Sequence, residues 1–144
     1  MNQDFVDLLS AFVAHDVRFL VVSAYALAVH GRPRATGDLD VWVDATPENA
    51  KRILRALATF GAPLADITER DFSKPGLVVQ LGVAPRRIDV LTALTGLTFE
   101  EAWNERVSHP FGDVPVNFIG RQSFIRNKRA TGRAKDIGDI EGLE

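Results

Sequence analysis

The segment over residues 38–44 constrains the fold most, because an apolar side chain stands at every second position there. Such alternation predicts a β-strand whose two faces meet different surroundings. Upstream, an apolar run over 18–22 leads directly into an alanine-rich stretch over 23–30, which predicts a buried strand followed at once by a short helix. Downstream, residues 46–61 begin with Thr-Pro and end at a glycine, which is the pattern of another helix. The early chain is therefore predicted to alternate strands and helices around a sheet.

The rest of the sequence adds one helix before this region and several elements after it. The predicted elements are a helix over 3–15, a loop over 62–76, a hairpin of strands over 77–81 and 87–91, a helix opened by a Thr98–Glu101 capping box, a strand over 114–118, and helices over 121–143. This order predicts an α/β (α+β) class in which a mixed β-sheet is flanked by helices.

Composition excludes several kinds of protein. A chain of 144 residues that is 46% hydrophobic and 25% charged is typical of a single domain, predicted over 1–144. The absence of cysteine excludes disulfides, thiolate metal sites and a cysteine nucleophile. Seventeen basic against nineteen acidic residues exclude a polybasic binder. No apolar run approaches the roughly 20 residues that span a bilayer, so we expect a cytoplasmic protein with no membrane partner.

Three aspartates are the strongest chemical signal in the sequence. Asp38 and Asp40 lie two apart on a predicted strand, so their side chains leave the same face with α-carbons roughly 7 Å apart. Asp89 is likewise embedded among the apolar residues of another predicted strand. Carboxylates gathered in this way are typical ligands of Mg²⁺, and three of them could build a two-metal site for phosphoryl displacement.

A possible phosphate-binding turn precedes these acids. The backbone amides near Ser23 and Ala24 are predicted at a helix N-terminus, where free N–H groups favour an anion. Arg32 and Arg34 follow in a basic loop and offer bidentate donors to phosphate.

The order of these residues resembles the DNA polymerase beta-type nucleotidyltransferase superfamily, and within it the small bacterial abortive-infection nucleotidyltransferase toxins. The stretch over 22–41 is similar to the family's strand, small-residue turn, helix, His-Gly, Arg-x-Thr and Asp-x-Asp arrangement, and the Ile-Asp-Val-Leu around Asp89 looks like its third acid. The segment over 124–140 is similar to the family's C-terminal Asn-Lys and Arg-x-Lys-Asp helices, with Lys128 in the Asn-Lys position.

This resemblance implies a nucleotidyltransferase-like fold and a reaction that uses NTP as co-substrate with two Mg²⁺ ions. Asp38 and Asp40 would hold the metals, Asp89 would bind one metal and help to deprotonate the acceptor hydroxyl, and the Ser23 turn, Arg34 and Lys128 would hold the triphosphate. The family further implies an acceptor that is a tRNA 3′ end, another RNA or a protein hydroxyl. It also implies a toxin–antitoxin or phage-defence setting with an antitoxin partner.

One departure from the family pattern leaves alternatives open. Ser23-Ala24 stands where the family has Gly-Gly or Gly-Ser, and a Cβ at a position needing positive φ costs on the order of 1 to 3 kcal/mol. A catalytically degenerate module that binds nucleotide, RNA or a partner protein is therefore one alternative. A metal-dependent nuclease or phosphohydrolase is another.

Individual residues also have simpler interpretations. Asp89 could pair with Arg86 or Arg87, Ser23 could be only a helix N-cap, and His30 is expected to be a packing residue. Residues 121–135 hold six basic side chains and no acidic one, which indicates a bound polyanion such as triphosphate or RNA. The alternative is that this segment pairs with acids further along the chain.

Overall fold

A computed structural model describes residues 2–31, 37–82 and 86–143 of the chain. Its strands are β1 (Phe19–Val22), β2 (Leu39–Val43), β3 (Val78–Leu81), β4 (Ile88–Leu91), β5 (Val107–Phe111) and β6 (Val114–Phe118). Its helices are α1 (Gln3–Ala14), α2 (Ser23–Val29), α3 (Pro47–Phe60), α4 (Glu69–Phe72), α5 (Phe99–Asn104), α6 (Arg121–Thr131) and α7 (Ala134–Leu143).

The described strands form one six-stranded sheet in the order β3-β4-β2-β1-β6-β5. The neighbouring pairs β1–β2, β3–β4 and β5–β6 are antiparallel, whereas β2–β4 and β1–β6 are parallel. Parallel neighbours need long crossover connections, and helices supply them here. The predicted class, α/β (α+β) with a mixed sheet flanked by helices, is confirmed.

Aromatic contacts show that helices cover both faces of the sheet. Phe12 of α1 packs edge-on against Phe19 of β1, while Phe99 of α5 packs edge-on against Trp42 of β2. Phe19 and Trp42 lie on opposite faces, because the residue paired with Trp42 is Leu20, the neighbour of Phe19. The central strands are therefore buried from both sides, and Asp40 interrupts an otherwise buried β2.

A buried asparagine fixes the helix that follows β2. Asn49 of α3 accepts a hydrogen bond from the backbone N–H of Arg18 at 2.8 Å, and its amide donates to the carbonyls of Arg18 and Asp44. The Thr46 side chain caps the same helix by accepting from the Asn49 backbone N–H. These bonds tie α3 to the end of the sheet opposite the acids.

Two elements depart from the sequence-based expectations. The region predicted as a loop over 62–76 contains α4, whose Thr68–Asp71 capping box marks a helix start. The strand β5 was not predicted, because Pro110 interrupts its pattern; the strand lies at the sheet edge, where proline is tolerated. Among the described residues, no helix combines the length and the apolarity needed to cross a membrane.

Candidate active site

Asp40 and Asp89 lie side by side in the sheet. The parallel pairing of β2 with β4 places them at matched positions, so their side chains leave the same face. Neighbouring strands are about 4.8 Å apart, which brings the two carboxylates within reach of one shared cation. The pairing joins residues far apart in sequence, and both stand where apolar side chains surround them.

Asp38 completes the acidic group at the start of β2. Its Oδ1 accepts a hydrogen bond at 3.0 Å from the backbone N–H of Arg87, and the Leu39 backbone N–H donates to the Arg87 carbonyl at 2.9 Å. Because these bonds continue the β2–β4 ladder, Asp38 is held beside the beginning of β4. The sheet thus places Asp38, Asp40 and Asp89 at one end. The spacing of two predicted that Asp38 and Asp40 share a face, whereas the place of Asp89 beside them follows from the pairing of β2 with β4.

Arg87 lies between two of these acids. Its Nε donates to Oδ1 of Asp89 at 2.7 Å, its Nη2 donates to Oδ2 of the same carboxylate at 3.1 Å, and Nη2 lies 3.6 Å from Oδ2 of Asp38. The hydrogen bonds and the negative charge of Asp89 raise the pKa of Arg87, which keeps the guanidinium charged. Of the two partners considered for Asp89, the structure therefore selects Arg87.

Burial raises the pKa of Asp40 above its usual value, and the charges of Asp89 and Asp38 act in the same direction. A hydrogen bond from the Ser23 hydroxyl and the positive charge of Lys128 oppose this rise without cancelling it. Asp40 is therefore a partly buried carboxylate whose negative charge is incompletely compensated. Such a group gains stability from an added cation.

Ser23 adopts the left-handed backbone conformation, with φ of 62°. Left-handed geometry costs an L-residue roughly 1–2 kcal/mol, which glycine would avoid. The strain expected for a side chain at this turn is therefore present. Ser23 does not serve as the N-cap of α2, because Val22 occupies that position and the Ser23 hydroxyl is bonded to Asp40.

Lys128 approaches the acids from α6. Its side chain is 8% exposed, its ammonium lies 5.4 Å from the centre of the Phe124 ring, and its charge acts on Asp40. The ammonium also lies 3.5 Å from Oδ1 of Asp136 on α7. Lys128 is thus a buried cation that pairs with Asp136 and whose charge acts to lower the pKa of Asp40.

Asp136 is fully buried and is held by three groups. Arg133 Nε donates to it at 2.6 Å, the Thr131 hydroxyl donates at 2.7 Å, and Lys128 contributes its charge. Burial alone would raise the pKa of Asp136, but these partners outweigh it and hold that pKa well below its usual range. Asp136 is therefore ionised, and it links α7 to Lys128.

The remaining predicted site residues divide between described and undescribed parts of the chain. Ala24 follows Ser23 in the first turn of α2, as expected. Arg32 and Arg34 lie outside the described residues. His30 hydrogen-bonds through Nε2 with the Ile119 carbonyl oxygen at 2.8 Å, which agrees with its interpretation as a packing residue.

The basic segment over 121–135 is partly paired. Arg126 donates to Glu101 at 3.0 Å, and Arg133 and Lys128 both contact Asp136. Arg121 is exposed on α6. Charge pairing therefore accounts for part of the segment, as the simpler interpretation expected.

The donor set suits a hard cation, since the three side chains offer only carboxylate oxygens. In the described ranges, however, no three His, Cys, Asp or Glu groups stand close enough together to hold a metal ion. The guanidinium of Arg87 is bonded to both oxygens of Asp89. The residue types fit Mg²⁺, and a metal that used Asp89 would need Arg87 to move.

Sequence reasoning gave Arg87 and Asp136 only as possible pairing partners. The signal for Arg87 was its spacing of two from Asp89, which puts both side chains on one face of a strand. The signal for Asp136 was its spacing of three from Arg133 at the start of a helix.

The fold is shared with solved nucleotidyltransferase structures. A protein from Thermotoga maritima, provisionally identified as a nucleotidyltransferase, matches with a TM-score of 0.66 at 11% identity, covering 97% of this chain and 89% of the other. The lincosamide antibiotic adenylyltransferase LnuA, solved with lincomycin bound, matches with a TM-score of 0.61 at 12% identity, covering 99% and 96%. No known family profile and no curated protein matches the sequence. At these identities the likeness establishes a nucleotidyltransferase-like fold.

Proposed function

We propose that this chain is a metal-dependent nucleotidyltransferase that moves a nucleoside monophosphate from an NTP to a hydroxyl group. The observation that carries the proposal is the parallel pairing of Asp40 with Asp89, with Asp38 beside them, on a fold shared with nucleotidyltransferases. An incompletely compensated carboxylate group on this fold suits a divalent cation and a polyphosphate.

In the reaction, the acceptor oxygen attacks the α-phosphorus of the NTP. A new bond forms between that oxygen and phosphorus, the bond to the bridging oxygen of the β-phosphate breaks, and pyrophosphate leaves. Mg²⁺, when bound, would neutralise the charge that develops on the phosphate oxygens. Asp38 and Asp40 would hold the ions, and Asp89 would bind one of them and help to take the proton of the acceptor hydroxyl.

The triphosphate would lie between the α2 turn and α6. The backbone amides of the Ser23 turn offer donors on one side, and Lys128 offers a positive charge on the other. Arg32 and Arg34 are proposed to add phosphate contacts from the loop before β2. In this arrangement the acids act at the reacting α-phosphate, and the cationic groups bind the rest of the triphosphate.

The acceptor is proposed to be an RNA, with the tRNA 3′ end as the first candidate, or a protein hydroxyl. The exposed Arg121 favours RNA, because it places positive charge on the surface of α6, the helix that carries Lys128. A role in a toxin–antitoxin or phage-defence system, with an antitoxin partner, follows from the sequence resemblance.

Label transfer tests the proposal. Purified protein is incubated with Mg²⁺, each α-³²P-NTP in turn, and total tRNA, protein alone or lincomycin, the ligand of the LnuA structure. We expect label on one acceptor, loss of transfer in the Asp38→Asn/Asp40→Asn double variant, and loss with excess EDTA. The exposed Asp113→Asn in the β5–β6 turn is the matched control and should transfer label normally.

The other outcomes separate the alternatives. RNA breakdown without NTP would contradict the proposal in favour of a nuclease. Absence of label on every acceptor, with folded protein that still binds NTP, would favour a binding module that retains only the fold.

A further inference from the structure

We propose that Arg87 is an internal counter-ion that occupies the acidic group before metal binds and must release Asp89 for a divalent cation to enter. The inference rests on the proposed function, because it concerns the same three carboxylates. It makes Arg87 the residue that sets how tightly the three carboxylates bind a metal.

The contacts of Arg87 place it in direct competition with a metal. The guanidinium takes up both oxygens of Asp89, at 2.7 and 3.1 Å, and reaches Asp38 at 3.6 Å. A dication bound to the same oxygens would lie within a few ångströms of this positive group, and the two would repel each other. The two cations therefore compete for Asp89.

The anchoring of Arg87 allows its side chain to leave without disturbing the sheet. Its backbone N–H and carbonyl are bonded to Asp38 and Leu39, whereas its side chain is 30% exposed and borders solvent. Rotation about the side-chain bonds would move the guanidinium outward while β4 keeps its register. Lys128 differs in this respect, because its side chain is 8% exposed and is held by Asp136.

The charge balance explains why such a counter-ion is present. Three carboxylates gathered at one end of the sheet repel one another, and both Asp89 and Asp38 act on Asp40. Without metal, Arg87 compensates the charges of Asp89 and Asp38 and so stabilises the folded chain. Its presence should lower metal affinity, because each binding event must first break a bidentate ion pair.

Metal titration of matched variants tests the competition. Mn²⁺ binding is measured by electron paramagnetic resonance on the wild type, Arg87→Gln, Arg87→Lys, and Arg86→Gln, which removes the same charge from the exposed preceding residue. We expect Arg87→Gln to bind Mn²⁺ at least about tenfold more tightly than Arg86→Gln. Arg87→Lys should lie between them, since an ammonium cannot form the bidentate pair.

Nuclear magnetic resonance observes the displacement in the unaltered protein. The ¹⁵Nε–H signal of Arg87, assigned by its absence in Arg87→Lys, should shift during Mg²⁺ titration as the bond to Asp89 breaks. The Arg18 Nε–H signal, from a guanidinium that pairs with Asp44 away from the acids, is the internal reference and should stay unchanged. This measurement serves even if Arg87→Gln fails to fold.

The outcomes distinguish this inference from the proposed function. If wild-type protein binds Mn²⁺ through Asp40 but Arg87→Gln matches Arg86→Gln, and the Arg87 signal does not move, then Arg87 is a permanent structural partner and the inference is wrong. If neither Mn²⁺ nor Mg²⁺ binds in any variant, both the inference and the metal dependence of the proposed function are wrong.

Discussion

Replacing Asp136 with asparagine should strongly destabilise the fold, although the residue lies on α7 and not on the sheet. The change preserves the shape of the side chain but removes the charge that compensates the buried Lys128 ammonium 3.5 Å away. It also weakens the hydrogen bonds from Arg133 and Thr131. A substitution at Asp136 therefore measures how much the buried ion pair with Lys128 contributes to the stability of the fold.

The magnitude follows from the kind of interaction lost. Removing one partner of a buried ion pair costs roughly 3–5 kcal/mol. The Arg133 side chain is 62% exposed and can regain water, and asparagine keeps one acceptor, so we expect a loss of about 2–4 kcal/mol. For a chain of this size that corresponds to a fall in Tm of roughly 10 °C.

The assay is urea unfolding at pH 7, followed by circular dichroism. Glu141→Gln is the matched control, because it removes a carboxylate from an exposed position on the same helix and should change stability by less than about 0.5 kcal/mol. A loss for Asp136→Asn no larger than that of Glu141→Gln would refute the assignment of Asp136 as the partner of buried Lys128.

The pH dependence gives an independent check of the same pair. The folded state holds the pKa of Asp136 below its usual range, so the stabilisation is fully present above the unfolded pKa of about 4. It is lost as pH falls from there through the folded pKa. The difference between wild type and Asp136→Asn should therefore be constant from about pH 5 to 8 and shrink below about pH 4, and a difference that grows on acidification would contradict the reasoning.

Two further pairs of variants test backbone features, each by thermal unfolding. Ser23→Gly should be more stable than Ser23→Ala by about 1 kcal/mol, because both lose the bond to Asp40 but only glycine avoids the left-handed strain; equal melting temperatures would contradict this. Gly120→Ala should lower the free energy of unfolding by more than about 2 kcal/mol, because the added Cβ would collide with the Glu105 carbonyl oxygen. Gly138→Ala should raise that free energy by about 0.5–1 kcal/mol, because its Cβ faces open space on α7 and alanine is the better helix former.

The sequence predicted those parts of the site that depend on local periodicity. A period of two was sufficient to place Asp38 and Asp40 on one face, and a small-residue position in the α2 turn was sufficient to predict strain at Ser23. Periodicity left Arg86 and Arg87 open as partners of Asp89, and the structure selects Arg87, which is two residues from Asp89.

The pairing of Asp40 with Asp89 could not be read from the sequence in the same way. It depends on β4 inserting beside β2 in parallel, which is a choice among sheet orders and not a local preference. The ion pair of Lys128 with Asp136 depends likewise on how α6 and α7 pack against each other. These contacts depend on how distant elements pack together, which composition and periodicity do not predict.

The partnership of Lys128 with Asp136 has a consequence for the order in which the site is assembled. Ribosomes release the N-terminal part of a chain first, so β2 and β4, with their acids, emerge well before α7. Lys128 therefore gains its fixed position only when α7 packs beside α6, the last step of the chain's assembly in sequence order. A change that loosens α7 should free the Lys128 side chain while the pairing of Asp40 with Asp89 between β2 and β4 is retained.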